Sequence, residues 1–331
     1  MRRRDFIKVS TALGAAALAP VSGASAQTRA VFKASDVQPP GYPTVAATEN
    51  LGKKLSAATE GRLSVQMYPS MQLGGEKETI EQTQIGAIQL LRVSAGTMGP
   101  IVDDINVVNM PFLFKNIAHS EKMMDGPIGQ ELLDKITASP TANLVGLCWM
   151  NSGARSLYNS KHPIKSIEDV KGLKFRVIGN PIFIEMMNAL GGNGVAMGYD
   201  QVFSALQTGV IDGAENNPPS YVFSNHYTAA KYYSLTEHLV IPEVLVFSKR
   251  AWSGLSADDQ NLIKKFAREA QFEERELWKK YEEQAMEKAK AAGCQIVEIA
   301  DKSPFQNAVK PVWDKYGPKY QDMIKRIQAI A

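Results

Sequence analysis

Cysteine is scarce in this chain of 331 residues, which has only Cys148 and Cys294. Two cysteines exclude a disulfide framework, and their separation does not have the spacing of a metal site. One bridge between them is chemically possible. Both lie in apolar segments, however, where we expect buried free thiols. We therefore expect a fold held together by its hydrophobic cores, with no metal and no cofactor.

Long apolar runs and an excess of basic charge are both missing after residue 26. No later segment approaches the roughly 18 consecutive apolar residues that can span a membrane. Removal of residues 1–26 takes away four of the 37 basic residues and one of the 34 acidic residues, so that 33 of each remain. Since no basic stripe with interleaved aromatic residues is present, the composition argues against nucleic-acid binding.

The first 26 residues have the three regions of a cleavable export signal. A basic start at residues 2–4 is followed by an apolar stretch over residues 11–19 and by the sequence ASA at residues 24–26. Residues 3–8, RRDFIK, follow the twin-arginine pattern, and an ordinary Sec signal with a basic start is the alternative. Either route predicts a soluble protein exported to the periplasm.

The remaining residues have the alternating pattern of an α/β fold. A strand at 30–34, a helix over 45–58 and a strand at 62–69 predict a βαβ opening and a largely parallel sheet. Because the mature chain exceeds what one hydrophobic core serves, we expect two domains. The strand after Pro242 suits the first unit better than the second. We predict domain I at 28–153 with 242–281, and domain II at 154–241 with 282–331.

Residues 256–292 contain neither proline nor glycine and predict one long helix. Ser256 supplies an N-cap and Gly293 a stop. At about 1.5 Å per residue the helix would be about 50 Å long. A coiled coil is the alternative, but the apolar residues keep no heptad repeat, and we expect a helix that lies across both domains. The adjacent acidic pairs 103–104 and 273–274 are expected to face solvent.

Arg176 is the candidate for anion binding that the residues themselves suggest. It lies in a predicted strand between the apolar residues Phe175 and Val177. A charged side chain at such a position either points to solvent or lines a cleft. In a cleft, a rigid guanidinium can donate two parallel hydrogen bonds to a carboxylate.

Two longer segments carry a resemblance to a known family. SIEDVKGLKFRV at 166–177 and EMMNALGGNGVAMGYDQVFSALQTGVIDGAENNPPSY at 185–221 resemble the DctP-type solute receptors of tripartite ATP-independent periplasmic (TRAP) transporters. The likeness covers essentially the whole mature chain. It implies a monomeric two-domain binding protein that closes over a small organic acid and delivers it to a small and a large membrane subunit. The family's arginine and the asparagine about forty residues downstream match Arg176 and Asn216.

Further ligand contacts are expected from residues that the resemblance or their polarity brings forward. Arg155 matches a second arginine that many members place near the ligand. Glu76 corresponds to an acidic residue for sugar hydroxyls, although a carboxylate in the first turn of a helix is also favoured by the helix dipole. The other polar candidates, each with a structural alternative or without a family match, are Arg92, Asn151, Asn217 and His238. The alternatives are an exposed strand residue for Arg92, a turn residue for Asn217 and a core-edge residue for His238.

The predicted ligand is a hexuronate such as D-glucuronate or D-galacturonate. The segments PEVLVFSKRAW and SDVQPPGYPTV resemble members for these sugar acids, although Gln38 stands where some of them have a histidine. An aldonate, a C4-dicarboxylate or a 2-oxoacid is the alternative within the same class. A periplasmic enzyme is the rival class. The sequence has no dinucleotide fingerprint, no histidine–cysteine cluster and no nucleophile elbow, so we expect no catalysis. A sensor receptor would bind by the same chemistry.

Overall fold

A computed structural model describes residues 29–331 of the chain. The predicted export signal, its twin-arginine pattern and its cleavage site after Ala26 all lie outside the described residues. Within residues 29–331, no helix is both long enough and apolar enough to cross a membrane.

Eleven strands in the described part of the chain form two sheets, in agreement with the predicted α/β fold. The strands are β1 (Ala30–Ser35), β2 (Leu63–Tyr68), β3 (Leu90–Ser94), β4 (Leu144–Met150), β5 (Arg155–Asn159), β6 (Lys174–Val177), β7 (Asn193–Ala196), β8 (Gly213–Asn216), β9 (Tyr232–Leu239), β10 (Glu243–Ser248) and β11 (Gln295–Glu298).

Fourteen α-helices and four short 3-10 helices connect and cover these sheets in residues 29–331. The α-helices are α1 (Pro43–Ala58), α2 (Glu76–Gln84), α3 (Ala95–Met98), α4 (Ile117–Asp125), α5 (Pro127–Ala138), α6 (Pro181–Ala189), α7 (Val202–Thr208), α8 (Pro218–Phe223), α9 (His226–Ala229), α10 (Lys249–Trp252), α11 (Ala257–Ala291), α12 (Ser303–Ala308), α13 (Lys310–Tyr316) and α14 (Gln321–Gln328). The 3-10 helices are Asp103–Asn109, Ile167–Val170, Tyr199–Gln201 and Gly317–Tyr320.

The first sheet has the strand order β2-β1-β3-β10-β4. Strand β1 pairs in parallel with β2 and β3, and α1 connects β1 to β2, which confirms the predicted βαβ opening. Strand β10 is antiparallel to both β3 and β4, because the chain enters it from the second sheet. The carboxyl ends of β1 and β3 therefore lie at the same edge as the start of β10.

The second sheet has the order β11-β9-β5-β8-β6-β7. Strand β6 is parallel to β7 and β8, while β5 is antiparallel to β8 and β9. The carboxyl end of β8 consequently meets the beginning of β5. This register places Ser156 opposite Asn216, and Arg176 opposite Ala214.

The chain passes between the sheets at residues 151–154 and again at 240–242. The prediction that the strand after Pro242 belongs with the first unit is confirmed, since β10 lies inside the first sheet. At the carboxyl end, β11 joins the second sheet, whereas α14 also packs against α5 beside the first sheet. The predicted domain boundaries stay a prediction.

The predicted long helix is present as α11, with 35 residues. Its N-cap is also as predicted, because the side chain of Ser256 accepts a hydrogen bond from the backbone N–H of Asp259 at 3.2 Å. The first part of α11 packs on α1 and the later part on α8, where the rings of Tyr281 and Phe223 stack at 4.2 Å. One helix thus contacts the layers of both sheets.

Two expectations about burial have different outcomes. Cys148 and Cys294 are free and buried, as expected. The expectation that the pair 273–274 faces solvent is wrong for Glu274, whose side chain is fully buried because it lies on the face of α11 that packs on β4. Its Oε2 accepts a hydrogen bond from the backbone N–H of Asn151 at 2.8 Å.

Candidate functional site

A cleft between the two sheets holds an inner chamber that opens towards a larger outer cavity. The inner chamber has a volume of about 30 Å³. The outer cavity has a volume of about 620 Å³ and lies between α2 and the segment 196–201. Both are lined by Glu76, Arg176, Ile178 and Tyr199. The inner chamber is further lined by Val37, Gln38, Arg92, Ser94, Arg155, Asn216, Ser220 and Glu243.

Arg176 lies in β6 and lines the chamber with only 5% of its surface exposed. Within residues 29–331, its side chain makes one hydrogen bond, from Nε to the carbonyl oxygen of Met197 at 2.9 Å. No carboxylate of the described residues forms a salt bridge with it. The ring of Tyr199 lies 5.8 Å from the guanidinium carbon. Both Nη groups are therefore available to an anion in the chamber.

Burial disfavours the charged form of Arg176 and lowers its pKa below the ordinary 12.5. Glu215 opposes this effect, whereas the neighbouring charge of Arg155 adds to it. An arginine keeps its proton at any physiological pH. A buried cation without a counter-ion is unfavourable, and an anionic guest would relieve that cost.

Arg155 begins β5 and makes a different set of contacts. Its Nε and Nη2 donate to the two carboxylate oxygens of Glu215 at 2.6 and 2.8 Å. Nη1 donates to Oδ1 of Asn216 at 2.7 Å, and Nη2 also donates to the carbonyl oxygen of Glu215 at 2.8 Å. Since Oδ1 of Asn216 is held in this way, its amide NH₂ is left for the chamber. Arg155 thus orients the asparagine.

The Arg155–Glu215 pair is charged on both sides. Burial would raise the pKa of Glu215, but the effects of Arg155 and His238 together outweigh it, and the pKa falls to about 2. Burial likewise lowers the pKa of Arg155, and Glu215 raises it overall. The positive charge of Arg155 is thereby neutralised within the protein.

Arg92, in β3, is surrounded by three carboxylates at the other end of the chamber. Nε donates to Oδ1 of Asp36 at 3.0 Å, and Nη2 donates to the same oxygen. Nη1 donates to Oε1 of Glu76 at 2.9 Å and to Oε2 of Glu243 at 2.8 Å. The alternative of an exposed strand residue is wrong for Arg92, because only 3% of it is exposed.

Glu76 opens α2, as the sequence predicted, and turns its carboxylate inward. Besides Arg92, Oε1 accepts a hydrogen bond from the backbone N–H of Ser94 at 3.1 Å, and Oε2 accepts one from the hydroxyl of Thr97. The carboxylate is therefore fixed between α2 and the start of α3. It also lines both the inner chamber and the outer cavity.

The fold brings to this site several residues that were not among the predicted ligand contacts. Glu243 lines the chamber, and burial raises its pKa, while Arg92 opposes the shift and Glu76 adds to it. Gln38 lines the chamber with a buried Oε1 that has no hydrogen-bond partner within residues 29–331. Asp36 forms a salt bridge with Arg92, and Glu215 forms one with Arg155. Glu243 had a signal in the sequence, because it is a charged residue at the start of an otherwise apolar strand.

Three predicted contact residues do not line the chamber. Asn151 lies where the chain passes from β4 to β5, and its amide donates to Glu121 Oε1 at 3.1 Å. Asn217 caps α8 by accepting a hydrogen bond from the N–H of Ser220 at 2.8 Å, the structural role considered for it. His238 is fully buried, with Nε2 at 3.6 Å from Glu215 Oε2, which is beyond hydrogen-bond distance.

The site can hold a small anion that also carries hydroxyl groups. At one end, Arg176 offers two donors in a plane, and Asn216 offers a third. At the other end, carboxylates and an amide oxygen can accept hydrogen bonds from hydroxyls.

Comparison with known proteins places this site in context. The model of the family described as bacterial extracellular solute-binding protein, family 7 (DctP), matches residues 34–319. A TRAP periplasmic solute binding protein from Pseudomonas putida F1, solved with bound D-glucuronate, is 54% identical, with a TM-score of 0.89 over 91% of this chain and 97% of that chain. One from Bradyrhizobium, in complex with D-galacturonate, is 43% identical, with a TM-score of 0.88 over 90% and 99%.

A protein from Citrobacter koseri has been solved in two states. With bound D-glucuronate it is 46% identical to this chain, with a TM-score of 0.89 over 91% of this chain and 100% of that chain. Its apo, open structure gives 44% identity and a TM-score of 0.80 over 90% and 98%. The conformation described here is therefore more similar to the ligand-bound state than to the open one.

Proposed function

This chain belongs to the DctP family of bacterial extracellular solute-binding proteins, the receptors of TRAP transporters, and we propose that it captures a hexuronate, D-glucuronate or D-galacturonate. The observation that carries the proposal is Arg176, a buried guanidinium with two unused donor groups in a chamber of the inter-sheet cleft. Similar receptors of known structure hold these sugar acids.

The ligand carboxylate is assigned to Arg176. Its two Nη groups form a planar fork that fits the two oxygens of a carboxylate, and no carboxylate of residues 29–331 forms a salt bridge with it. The amide of Asn216 donates a further hydrogen bond, and Arg155 holds that amide in place. In this assignment Arg155 is a positioning residue, because four of its donor contacts are already made inside the protein.

The sugar hydroxyls are assigned to the end of the chamber near Arg92. Glu76 and Glu243 present carboxylate oxygens there, and Gln38 presents an amide oxygen without a partner in the described residues. Hydroxyls can donate to all three. Asn151, Asn217 and His238 support the surrounding backbone and the Arg155–Glu215 pair in this proposal, instead of touching the ligand.

We also propose that binding closes the cleft between two domains, at 28–153 with 242–281 and at 154–241 with 282–331. The passage of the chain between the sheets at 151–154 and 240–242 supports these inner boundaries. Contacts that Arg176 and Glu76 make together with one ligand exist only in the closed form, so the ligand shifts the population towards it.

The cellular setting follows from the family. TRAP solute-binding proteins are periplasmic and work with membrane subunits. For this chain we further propose export by the twin-arginine route, delivery to a small and a large membrane subunit, and a monomeric receptor without catalytic activity. Fusion of residues 1–26 to a reporter that requires folded export would test the route, and replacement of Arg3 and Arg4 by lysine should abolish that export.

The ligand is tested by a thermal-shift screen of the mature protein against uronates, aldonates, C4-dicarboxylates, sialic acid and 2-oxoacids. A ligand that binds only the folded chain adds about 2.7 kcal/mol to the free energy of unfolding at a concentration of 100 Kd, and this raises the melting temperature. We expect D-glucuronate or D-galacturonate to give the largest shift. If a different class of acid raises the melting temperature more, that class is the ligand in place of a hexuronate. If no acid raises the melting temperature, the alternative of a periplasmic enzyme is favoured.

The role of Arg176 is tested by the variant Arg176→Lys. A lysine keeps the charge but loses the planar fork, so we expect the affinity for the hexuronate to fall roughly tenfold or more. Calorimetry gives the Kd. The exposed Arg250 provides the matched control, Arg250→Lys, which should leave it unchanged. If the lysine variant at position 176 binds as tightly as the parent protein, the fork does not hold the carboxylate.

A further inference from the structure

The two ends of the inner chamber differ in net charge. At one end, Arg155 is neutralised by Glu215, and Arg176 has no carboxylate partner within residues 29–331. At the other end, Arg92 forms salt bridges with three carboxylates: Asp36, Glu76 and Glu243. When all groups are ionised, the first end has an excess of one positive charge and the second an excess of two negative charges.

Arg92 is not available to a second anion. Four hydrogen bonds leave its guanidinium, and all four end on carboxylates of the protein. Asp36 is fully buried behind it and does not line the chamber. Glu76 and Glu243 do line the chamber, so a ligand at this end meets their carboxylates.

Two acceptor oxygens of the residues at this end have no donor within residues 29–331. Oε1 of Glu243 accepts no hydrogen bond from residues 29–331, since the Arg92 contact is made by Oε2. The buried Oε1 of Gln38 also has no partner there, while its Nε2 donates to the hydroxyl of Ser220 at 3.3 Å. These oxygens can be satisfied by ligand hydroxyls and not by a ligand carboxylate, which has no proton to donate.

We propose that this charge asymmetry makes the receptor select polyhydroxy acids with one carboxylate and reject acids with a second terminal carboxylate, and that Glu243 is the residue that determines the rejection. The inference rests on the proposed function in one respect, namely that Arg176 holds the ligand carboxylate. A six-carbon diacid bound in this way brings its far carboxylate against Glu243 and Glu76, and like charges in a desolvated site repel strongly.

The environment of Glu243 supports its role. Burial, together with Glu76 and Asp36, already raises its pKa against the opposing effect of Arg92 and Arg155. Another negative charge at this position would be accommodated only if a proton were taken up. Replacement of Glu243 by glutamine removes one negative charge and keeps a side chain that can accept and donate hydrogen bonds.

The test uses two linear acids that differ only at the far end. D-gluconate has a hydroxymethyl group where D-glucarate has its second carboxylate, so their comparison separates charge from the shape of the sugar ring. Both are measured by competition against D-glucuronate with the mature protein at pH 7.5. We expect D-glucarate to bind at least about 30-fold more weakly than D-gluconate. Equal affinities, or no competition by either acid, would overturn the inference.

The variant Glu243→Gln should narrow the difference between the two linear acids to about fivefold or less, mainly by improving the binding of D-glucarate. Glu283→Gln is the matched control, because it removes one exposed carboxylate of α11 outside the cleft and should leave the ratio unchanged. If Glu243→Gln does not fold, Glu76→Gln must narrow the ratio instead. A ratio that neither variant changes would contradict the assignment to these carboxylates.

Failure of this inference is distinguishable from failure of the proposed function. If D-glucuronate binds and depends on Arg176, but the two linear acids bind alike, the receptor assignment stands and the charge selection fails. If D-glucuronate does not bind and D-glucarate does, both fail. Both are supported if D-glucuronate binds, if D-gluconate and D-glucarate differ in affinity as expected, and if this difference narrows in Glu243→Gln.

Discussion

Two buried arginines on one sheet have opposite surroundings. Strand β8 lies between β5 and β6, so that its residues can reach the arginine of either neighbour. Glu215 of β8 pairs with Arg155 through both carboxylate oxygens and leaves Arg176 without a paired carboxylate in the described part of the chain. A single carboxylate thus decides which guanidinium is a structural group and which is open to a ligand.

Loss of the Glu215 carboxylate is predicted to be costly. Glu215→Gln leaves the buried charge of Arg155 without an anion, and breaking a buried pair in this way costs about 3–5 kcal/mol. Because the folded pKa of Glu215 is about 2, below its ordinary 4.5, its contribution is present above pH 4.5 and is lost as the pH falls towards 2. Urea unfolding should therefore reveal a large difference from the parent protein at pH 7 and a smaller one at pH 3.5.

A surface pair provides the control for this prediction. Glu131 and Arg326 lie 2.7 Å apart, with both side chains more than a third exposed. Glu131→Gln should have little effect at either pH, since water already solvates both charges. Equal losses for the two glutamine variants would mean that the buried pair contributes no more than an exposed one.

The residues of the site were only partly predictable from the sequence. Arg176 could be recognised because a charged side chain inside an apolar strand either points to solvent or lines a cleft. Arg92 was recognised as polar, but its three carboxylates come from the residue after β1, from α2 and from β10, and they lie up to 151 residues from Arg92 in the chain. No local pattern in the sequence links residues that come together only through strand pairing. Whether Arg176 has a paired carboxylate depends on which of the two arginines forms the salt bridge with Glu215.

At the scale of elements, the passage from β4 to β5 is tightly constrained. Gly153 lies in this passage with φ +59°, a region that favours glycine. A Cβ atom there would lie 2.9 Å from Glu282 Oε1 and 3.0 Å from Trp278 Nε1, both on α11. The passage is therefore pressed against the long helix, which leaves no space for a side chain.

Gly153→Ala is predicted to destabilise the protein more than an alanine at a similar but uncrowded glycine. Gly172 has φ +80°, and no atom lies within 4 Å of the position that a Cβ would take there, so Gly172→Ala reports the backbone cost alone, about 1–2 kcal/mol. The additional loss in Gly153→Ala measures the crowding by α11. Urea unfolding gives both values, and equal losses would show that α11 moves aside at no cost.

The elements themselves were predictable where the pattern was long. The helix α11 followed from a long run without proline or glycine, an N-cap and a terminal glycine, and the βαβ opening followed from the alternating pattern of strand and helix. Residues 144–159 form two strands in different sheets, β4 and β5. Only four residues separate these strands, and periodicity within each strand does not reveal that the two belong to different sheets.

At the scale of the whole molecule, α11 links the two sheets through a buried acid. Glu274 accepts the N–H of Asn151 at the first passage between the sheets, and its second oxygen has no partner within residues 29–331. Burial raises its pKa to about 8, with Glu243 and Glu121 adding to the shift and Arg275 opposing it. The folded protein thus holds a proton at the junction of its two halves at neutral pH.

This proton makes stability depend on pH. Between pH 4.5, the ordinary pKa, and pH 8, the folded chain keeps the proton of Glu274 whereas the unfolded chain has released it. The contribution of this group to stability is therefore full below pH 4.5 and is lost as the pH rises through 8. Glutamine resembles the protonated carboxyl, so Glu274→Gln should remove this part of the pH dependence.

We expect Glu274→Gln to be about as stable as the parent protein at pH 5 and more stable at pH 8.5, because glutamine needs no proton to remain neutral in the buried position. Melting curves at pH 5, 7 and 8.5 measure the difference. Glu276→Gln, two residues along α11 on its exposed face, should follow the parent protein at every pH. A constant difference between Glu274→Gln and the parent protein from pH 5 to 8.5 would mean that Glu274 is ionised in the folded state throughout, and that the junction between the sheets accommodates a buried negative charge.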